Sequence, residues 1–136
     1  MNTTQDFSKF GKLFQESLVQ LLLEDRPFCD QMEEVLDVTF FELKYLRVFT
    51  KLVFDYREKY DTHPSTETLT MLLRSSLEEE NPVIQKQVRD FFTRINKNNI
   101  DAEEYIKTTS LDFCKKQKLK EALMKSDKKC KTWGIR

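Results

Sequence analysis

The most constraining feature of this chain is a helical pattern between residues 46 and 73 that is interrupted once. Apolar residues recur there at steps of three and four, which is the spacing of one face of an α-helix. The pattern stops over residues 61–64, because the residue before Pro64 avoids helical backbone geometry. It resumes after Ser65, a residue type that favours the N-terminal cap. The segment therefore predicts two helices joined by a short turn, a helical hairpin.

The rest of the chain is also poor in residues that break helices. Its 136 residues include two glycines and three prolines, too few for the turns of an all-β domain or of a nucleotide-binding α/β fold. Hydrophobic residues make up 39% and charged residues 34%, which is typical of a globular domain with a modest core. We therefore predict an all-α fold: a small bundle of about six helices with a protruding helical hairpin and a long C-terminal helix of the linker type.

Local signals predict where the helices begin. Residues 1–8 are polar and are expected to fray. The first helix is predicted over about 10–25, with Leu13 among its inward-facing residues. Thr39 and Glu42 have the spacing of a capping box, so the third helix is predicted to begin near residue 40. The other starts are indicated by Pro27, Ser65, Asn81-Pro82 and Asp101, and the sixth helix is predicted to end at about 126–130.

Charge divides the chain unevenly although its formal net charge is zero. Residues 16–42 carry eight acids and one base, a balance of −7, and residues 113–136 carry nine bases and two acids, a balance of +7. A helix that loses its apolar face tends to project from the globule, as expected beyond Phe113. We therefore divide the chain into a helical domain, residues 1–112, and a lysine-rich continuation, residues 113–136. The two charged regions fit head-to-tail contacts, an anionic ligand or two solvated faces, and the sequence leaves these open.

No catalytic, cofactor or metal site is predicted. Cys29, Cys114 and Cys130 are widely spaced and His63 is the single histidine, whereas a zinc site needs four ligands at short spacings. The first two cysteines are expected to line the core. Gly11-Lys12-Leu13 lacks the upstream glycine and the following hydroxyl of a phosphate-binding loop. Without a catalytic set or a phosphate-binding loop, we expect a non-enzymatic protein. No apolar run reaches membrane-spanning length, so we expect a protein of the cytoplasm without a membrane partner.

The lysine-rich continuation is the candidate nucleic-acid contact. No aromatic residue alternates with its lysines to stack on bases, and the neutral chain is unlike a dedicated nucleic-acid binder. We therefore expect DNA to bind weakly if at all, and a solvated helix is the simpler interpretation. The lysines in question are Lys115, Lys116, Lys118 and Lys120.

The third helix has apolar residues on more than one side. Leu52 and Phe54 lie off the face that carries Leu46 and Tyr60. A helix that is apolar on two faces either sits centrally in the bundle or serves an interface. This pattern favours self-association through the hairpin.

An ordered set of residues resembles a known family. Phe40-Phe41, Tyr45-Leu46-x-x-Phe49 and Tyr56-x-x-x-Tyr60-x-x-x-Pro64-Ser65-x-x-x-Leu69 are similar to the N-terminal domain of DnaB-like replicative helicases, above all those of the phage type. The stretch that starts at Asp101-x-x-x-Tyr105-Ile106 and continues through 111–122 resembles the helix that leads from that domain to the ATPase motor. The resemblance covers roughly residues 13–125, almost the whole chain.

The resemblance implies a non-catalytic domain for oligomerisation and protein interaction in DNA replication. Such domains pair through their hairpins, form a collar on the helicase ring and contact primase or a helicase loader. A phage-encoded chain would work in the cytoplasm of a bacterial host. The catalytic residues of the family lie in a RecA-like motor, which these 136 residues lack. The hairpin interface would comprise Phe49, Val53, Tyr56, Tyr60, Pro64, Leu69, Leu72 and Leu73.

Two other interpretations remain open at this stage. After Ser126 the sequence turns to DKKCKTWGIR and departs from the family pattern. The chain is therefore either a domain of a longer helicase or a stand-alone adaptor or decoy that binds a helicase, loader or primase. A reading frame that continues into a phosphate-binding loop would exclude the adaptor. A helical DNA-binding protein that uses the basic tail is the second alternative.

Overall fold

The computed structural model describes residues 6–95, 97 and 99–135, with side chains described through Leu123. This part of the chain is all-helical, which confirms the predicted all-α class and the small helical bundle. Its α-helices are α1 (Gly11–Glu24), α2 (Arg26–Glu33), α3 (Lys44–Tyr60), α4 (Thr66–Ser76), α5 (Pro82–Ile95) and α6 (Glu103–Ile135), and two 3₁₀-helices cover Phe7–Phe10 and Val38–Phe40.

Helix α1 is the centre of the bundle and packs against α2, α3 and α6. Leu18, Leu21 and Leu22 are almost completely buried, as the helical pattern predicts. Leu13 is 74% exposed, so its predicted inward position is wrong. At 3.6 residues per turn, Leu13 lies about 100° around the helix from the buried Phe14, outside the stripe that faces the core.

The N-terminal end of the core is built from phenylalanine rings around Phe7, which is completely buried. Asp6 fixes this segment, because its carboxylate accepts a hydrogen bond from the Ser8 amide at 2.9 Å. The prediction of a frayed segment through residue 8 is therefore wrong at Phe7, and its residues 1–5 lie outside the described part. Ring centroids lie between 4.9 and 6.4 Å from Phe7 for Phe10, Phe14, Phe40, Phe41 and Phe113.

The capping box predicted at Thr39 does not form. Thr39 lies in the second 3₁₀-helix, whose cap is Asp37, and α3 begins at Lys44. Glu42 is engaged elsewhere: its amide donates to Gln15 Oε1 at 2.9 Å, and its carboxylate accepts from Gln15 Nε2 at 3.3 Å. A completely buried glutamine on α1 thus holds the segment that was predicted to open α3.

Three of the other local start signals are confirmed, whereas Asp101 lies in a turn and α6 begins at Glu103. Asp25 caps α2, with Pro27 in its first turn. Ser65 caps α4 by accepting a hydrogen bond from the Thr68 amide at 3.1 Å. Asn81 precedes Pro82 at the start of α5, and its side chain accepts from the Ile84 amide at 2.9 Å.

Helix α6 changes character along its length. Ile106, Ser110, Phe113 and Cys114 are buried against the bundle, so the packed part of α6 reaches two residues beyond the 1–112 boundary. From Lys115 to Leu123 the side chains are exposed, apart from the half-buried Gln117. The helical backbone continues to Ile135, beyond the predicted end. Within the described residues, no helix combines the length and the apolar character that a membrane crossing requires.

Candidate interaction surface

The turn between α3 and α4 is shaped by two local features. Asp61 ends α3 in the left-handed region, with φ 55°, and its amide donates to the Arg57 carbonyl at 2.9 Å. Pro64 follows and is buried, and Ser65 then caps α4. The hairpin geometry predicted from the sequence is present at this turn.

His63 joins this turn to the body of the bundle. Its Nε2 lies 2.7 Å from the carbonyl oxygen of Leu23 at the end of α1, and its Nδ1 lies 2.7 Å from Nη1 of Arg57. A guanidinium has donors and no acceptor, so Nδ1 accepts and the Nε2–H group donates to Leu23. His63 therefore packs the turn against the bundle through these two contacts.

Arg57 extends this connection to α2. Its side chain is 9% exposed and pairs with Asp30 and with Glu33, the latter at 3.2 Å. Burial alone would lower the pKa of Arg57, but the hydrogen bonds that Arg57 donates to Glu33 and Asp30 raise it above its ordinary value. Together with His63, this cluster holds the α3–α4 turn against α1 and α2, so the turn does not stand free of the bundle.

The eight residues of the predicted hairpin interface fall into two groups. The buried side chains cannot contact a partner in this fold, because they already pack inside the chain. Phe49, for example, meets Phe91 edge-on at 5.3 Å. Three residues stay accessible: Tyr56 and Leu72 are half-buried, and Tyr60 is 54% exposed. The buried group comprises Phe49, Val53, Pro64, Leu69 and Leu73.

The accessible group contains an aromatic pair at the end of α3. The ring centroids of Tyr56 and Tyr60 lie 4.7 Å apart, and Lys59 Nζ lies 5.3 Å from the centre of the Tyr60 ring. Met71, on α4 beside Leu72 in the sequence, is 64% exposed and was missed by the sequence reasoning. Met71 follows Leu69 by two residues, so it lies on the opposite side of α4 from the buried stripe. Its position in the helical pattern therefore identifies it as an exposed apolar residue.

The four candidate lysines of α6 are all exposed but differ in their contacts. Lys116 pairs with Asp112 one helical turn earlier, at 3.1 Å. Lys118 donates to the Glu34 carbonyl at the end of α2, at 3.0 Å. Lys115 and Lys120 form no ion pair with any described residue. These lysines therefore do not form one uniform cationic face.

The titratable groups of the core are held in unreactive states. Burial raises the pKa of Cys29 and of Cys114 to about 12, so both thiols stay protonated at neutral pH. Both line the core, as predicted, and the side chain of Cys130 lies outside the described part. Burial, followed by a hydrogen bond to Glu16, raises the pKa of Tyr45, and Arg94 pairs with the same carboxylate at 2.5 Å. Among the described residues, no group of three or more His, Cys, Asp or Glu side chains is placed to hold a metal ion.

Comparisons with known proteins add no relative to this picture. No family model, no curated protein and no solved structure matches the chain. The resemblance to DnaB-like helicases therefore depends on the ordered residues of the sequence alone.

Proposed function

We propose that this chain is a non-catalytic oligomerisation and protein-interaction domain of a DnaB-like replicative helicase. The observation that carries the proposal is the accessible pair Tyr56 and Tyr60 at the end of α3. The family resemblance implies that the hairpin interface lies at these residues. Tyrosine is enriched at protein interfaces because it contributes a large contact area from a side chain with few rotatable bonds. The pair is therefore the proposed centre of self-association.

The anchoring of the turn supports this role. His63 and Arg57 fix the α3–α4 turn to α1 and α2. A surface that is already ordered loses less conformational freedom on binding, so more of its contact energy appears as affinity. Tyr56, Tyr60 and Leu72 are thus presented by a rigid support. Primase or a helicase loader is the partner class proposed beyond the chain itself.

Sedimentation equilibrium across a wide range of protein concentration tests the proposal. The weight-average mass of the unmodified chain should rise with concentration. Tyr60→Asp and Leu72→Asp should each weaken association about tenfold or more, because a charge would be buried in the contact. Val83→Asp is the matched control, since Val83 is 66% exposed and lies on α5.

Two results would contradict the proposal. One is an unmodified chain that stays monomeric at the highest accessible concentration. The other is a control variant that weakens association as much as Tyr60→Asp does. High concentration is needed because a collar domain separated from its ring lacks the effective concentration that linked copies provide.

DNA contact is the second candidate, favoured by Lys115 and Lys120, which are exposed and form no ion pair with a described residue. Phosphate contacts are strongest at low salt, and affinity falls as the salt concentration rises, more steeply when more counterions are released on binding. A salt titration with duplex and single-stranded DNA decides this candidate. Binding at low salt that is reduced by Lys115→Glu with Lys120→Glu would support it, and no binding at low salt would remove it.

A further inference from the structure

A groove runs along α1 on the side where α6 begins. We call it the α1 groove. It has a volume of about 600 Å³, and Phe14 and Ile106, each 6% exposed, are among the apolar side chains that line it. Its other principal lining residues are Phe10, Leu13, Ser17, Ile100 and Tyr105.

Two large apolar side chains line this groove and remain open to solvent. Leu13 on α1 is 74% exposed, and Tyr105 on α6 is 60% exposed. The Tyr105 ring stands edge-on to Phe14 at 6.4 Å, which joins the exposed residues to the buried surface. Apolar side chains gathered on both walls of one cleft, rather than scattered singly, mark a docking surface.

The groove is long enough for a helix. A second depression of about 460 Å³ shares Leu13 and Ser17 with the first and continues along α1 to Gln20. From Phe10 to Gln20 the helical rise gives a length of about 15 Å, which matches about three turns of a partner helix. The small side chain of Ser17 lies between the two depressions and leaves room for an inserted side chain.

The charges around the groove favour an acidic partner. Lys9 and Lys97 line it, and Lys12 is an exposed neighbour of Leu13 in sequence. None of the three lysines forms an ion pair with a described residue. Arg94 and Glu16, which also line the groove, neutralise each other at 2.5 Å, so Lys9 and Lys97 remain in the lining against one acid, Asp101.

We propose that the α1 groove docks an amphipathic helix of a partner protein that carries apolar anchors flanked by acidic residues. The apolar anchors would occupy the space between Leu13 and Tyr105, and the acidic residues would face Lys9, Lys12 and Lys97. Helix-in-groove recognition uses this combination of apolar anchors and complementary charges. The surface is separate from Tyr56 and Tyr60 and does not depend on the proposed helicase role.

Fluorescence anisotropy with two labelled peptides tests this proposal. The first is a synthetic amphipathic peptide of about four turns with leucine at alternate steps of three and four and glutamate beside them. The second has lysine in place of every glutamate. The glutamate peptide should bind at least about tenfold more tightly than the lysine peptide, because the lysines of the groove repel the second one.

Matched variants locate the binding. Leu13→Ser should weaken binding of the glutamate peptide about tenfold, whereas Val83→Ser, at a similarly exposed apolar position, should not. Lys97→Glu should also weaken it, whereas Lys120→Glu should not, because Lys120 lies outside the groove; both lysines are exposed and form no ion pair with a described residue. All four positions are exposed, so the variants should fold. Tyr60→Asp should leave peptide binding unchanged, which separates this test from that of the hairpin surface.

Several results would overturn the proposal. They are equal affinity for the two peptides, no binding of the glutamate peptide, or groove variants that behave like their controls. The occupant could also prove to be a second copy of the chain. Sedimentation would show this if Leu13→Ser abolished self-association while Tyr60→Asp did not, and the acidic helix would then be excluded.

Discussion

At the scale of single residues, Asp25 connects three helices, since it also ends α1, where its amide donates to the Leu21 carbonyl. Its carboxylate caps α2 by accepting from the Phe28 amide at 3.0 Å, and it pairs with Lys107 of α6. Lys107 in turn lies 2.8 Å from Glu103. The hydrogen bond from Lys107, together with that from the Phe28 amide, lowers the pKa of Asp25 below its ordinary value of 3.8. Folding therefore favours the ionised carboxylate.

Asp25→Asn tests this connection by removing the charge while keeping a residue that caps helices well. The free energy of unfolding at neutral pH should fall by about 1 kcal/mol, because a partly buried ion pair is lost. The pKa of Asp25 is lowered only in the folded state. The contribution of the ion pair to stability is therefore fully present above pH 3.8 and is lost as the pH falls through the lower pKa of the folded state. Urea unfolding at neutral and acidic pH measures the difference, which should vanish at the acidic end.

Asp55→Asn is the control for this substitution. Asp55 pairs with Lys51 one turn away, and both side chains are more than half exposed. Such exposed pairs contribute little to stability, because water screens the two charges. An equal loss of stability in both variants would mean that the contact between Asp25 and Lys107 adds nothing across the helices.

The burial of two residues, Leu13 and Phe7, is not predictable from the sequence pattern. Leu13 belongs to the apolar residues of α1, but steps of three and four can define two overlapping stripes, and packing against α2, α3 and α6 selects the other one. Phe7 stands among polar residues, so no periodic pattern marks it, and its burial depends on rings from distant segments such as Phe41 and Phe113. In both cases, contacts between residues far apart in the sequence determine whether the side chain is buried.

At the scale of helices, caps are predictable where their partners are close in sequence. Ser65 and Asn81 bond to amides three residues ahead, and both were identified. The box at Thr39 fails because Gln15, 27 residues away, engages Glu42. A local rule holds when no distant group competes for the same atoms.

Ser65→Ala and Thr39→Ala form a pair that tests this distinction. Ser65→Ala should lower the free energy of unfolding by about 1 kcal/mol, because the first turn of α4 loses its cap. Thr39→Ala should lower the free energy of unfolding by less. The amide of residue 39 still donates to Asp37, and only the hydrogen bond from the Thr39 hydroxyl to Asp37, at 2.7 Å, is lost. Urea unfolding at neutral pH gives both values, and equal losses would restore Thr39 as the cap of a longer α3.

At the scale of the whole molecule, the hairpin shows what an apolar pattern leaves undecided. The sequence correctly predicts which face of α3 and α4 is apolar, since Phe49, Val53, Leu69 and Leu73 all lie on it. It does not reveal whether the chain itself or a partner covers that face, because both cases need the same residues. In this structure the chain covers it, and Tyr56, Tyr60 and Leu72 remain at least partly accessible to solvent.

The buried apolar residues of all six helices form one cluster, so the described bundle should unfold as a unit. Met32 of α2 and Val88 of α5 are both completely buried. They lie in different parts of the bundle, since α2 packs on α1 and α6, whereas α5 packs on α3. Each substitution to alanine should destabilise the fold by about 2 to 4 kcal/mol, through lost burial and a residual cavity.

Native-state hydrogen exchange distinguishes one cooperative unit from two. In a single unit, the slowest amides of α1, α3 and α5 exchange through global unfolding, so Met32→Ala should lower their protection by its full effect on stability. Val88→Ala should do the same for the slowest amides of α1 and α2. If Met32→Ala left α5 fully protected, α3 and α5 would form a unit of their own. The shared contact between α1 and α3 argues against that division, because destabilising either helix weakens the surface on which the other packs.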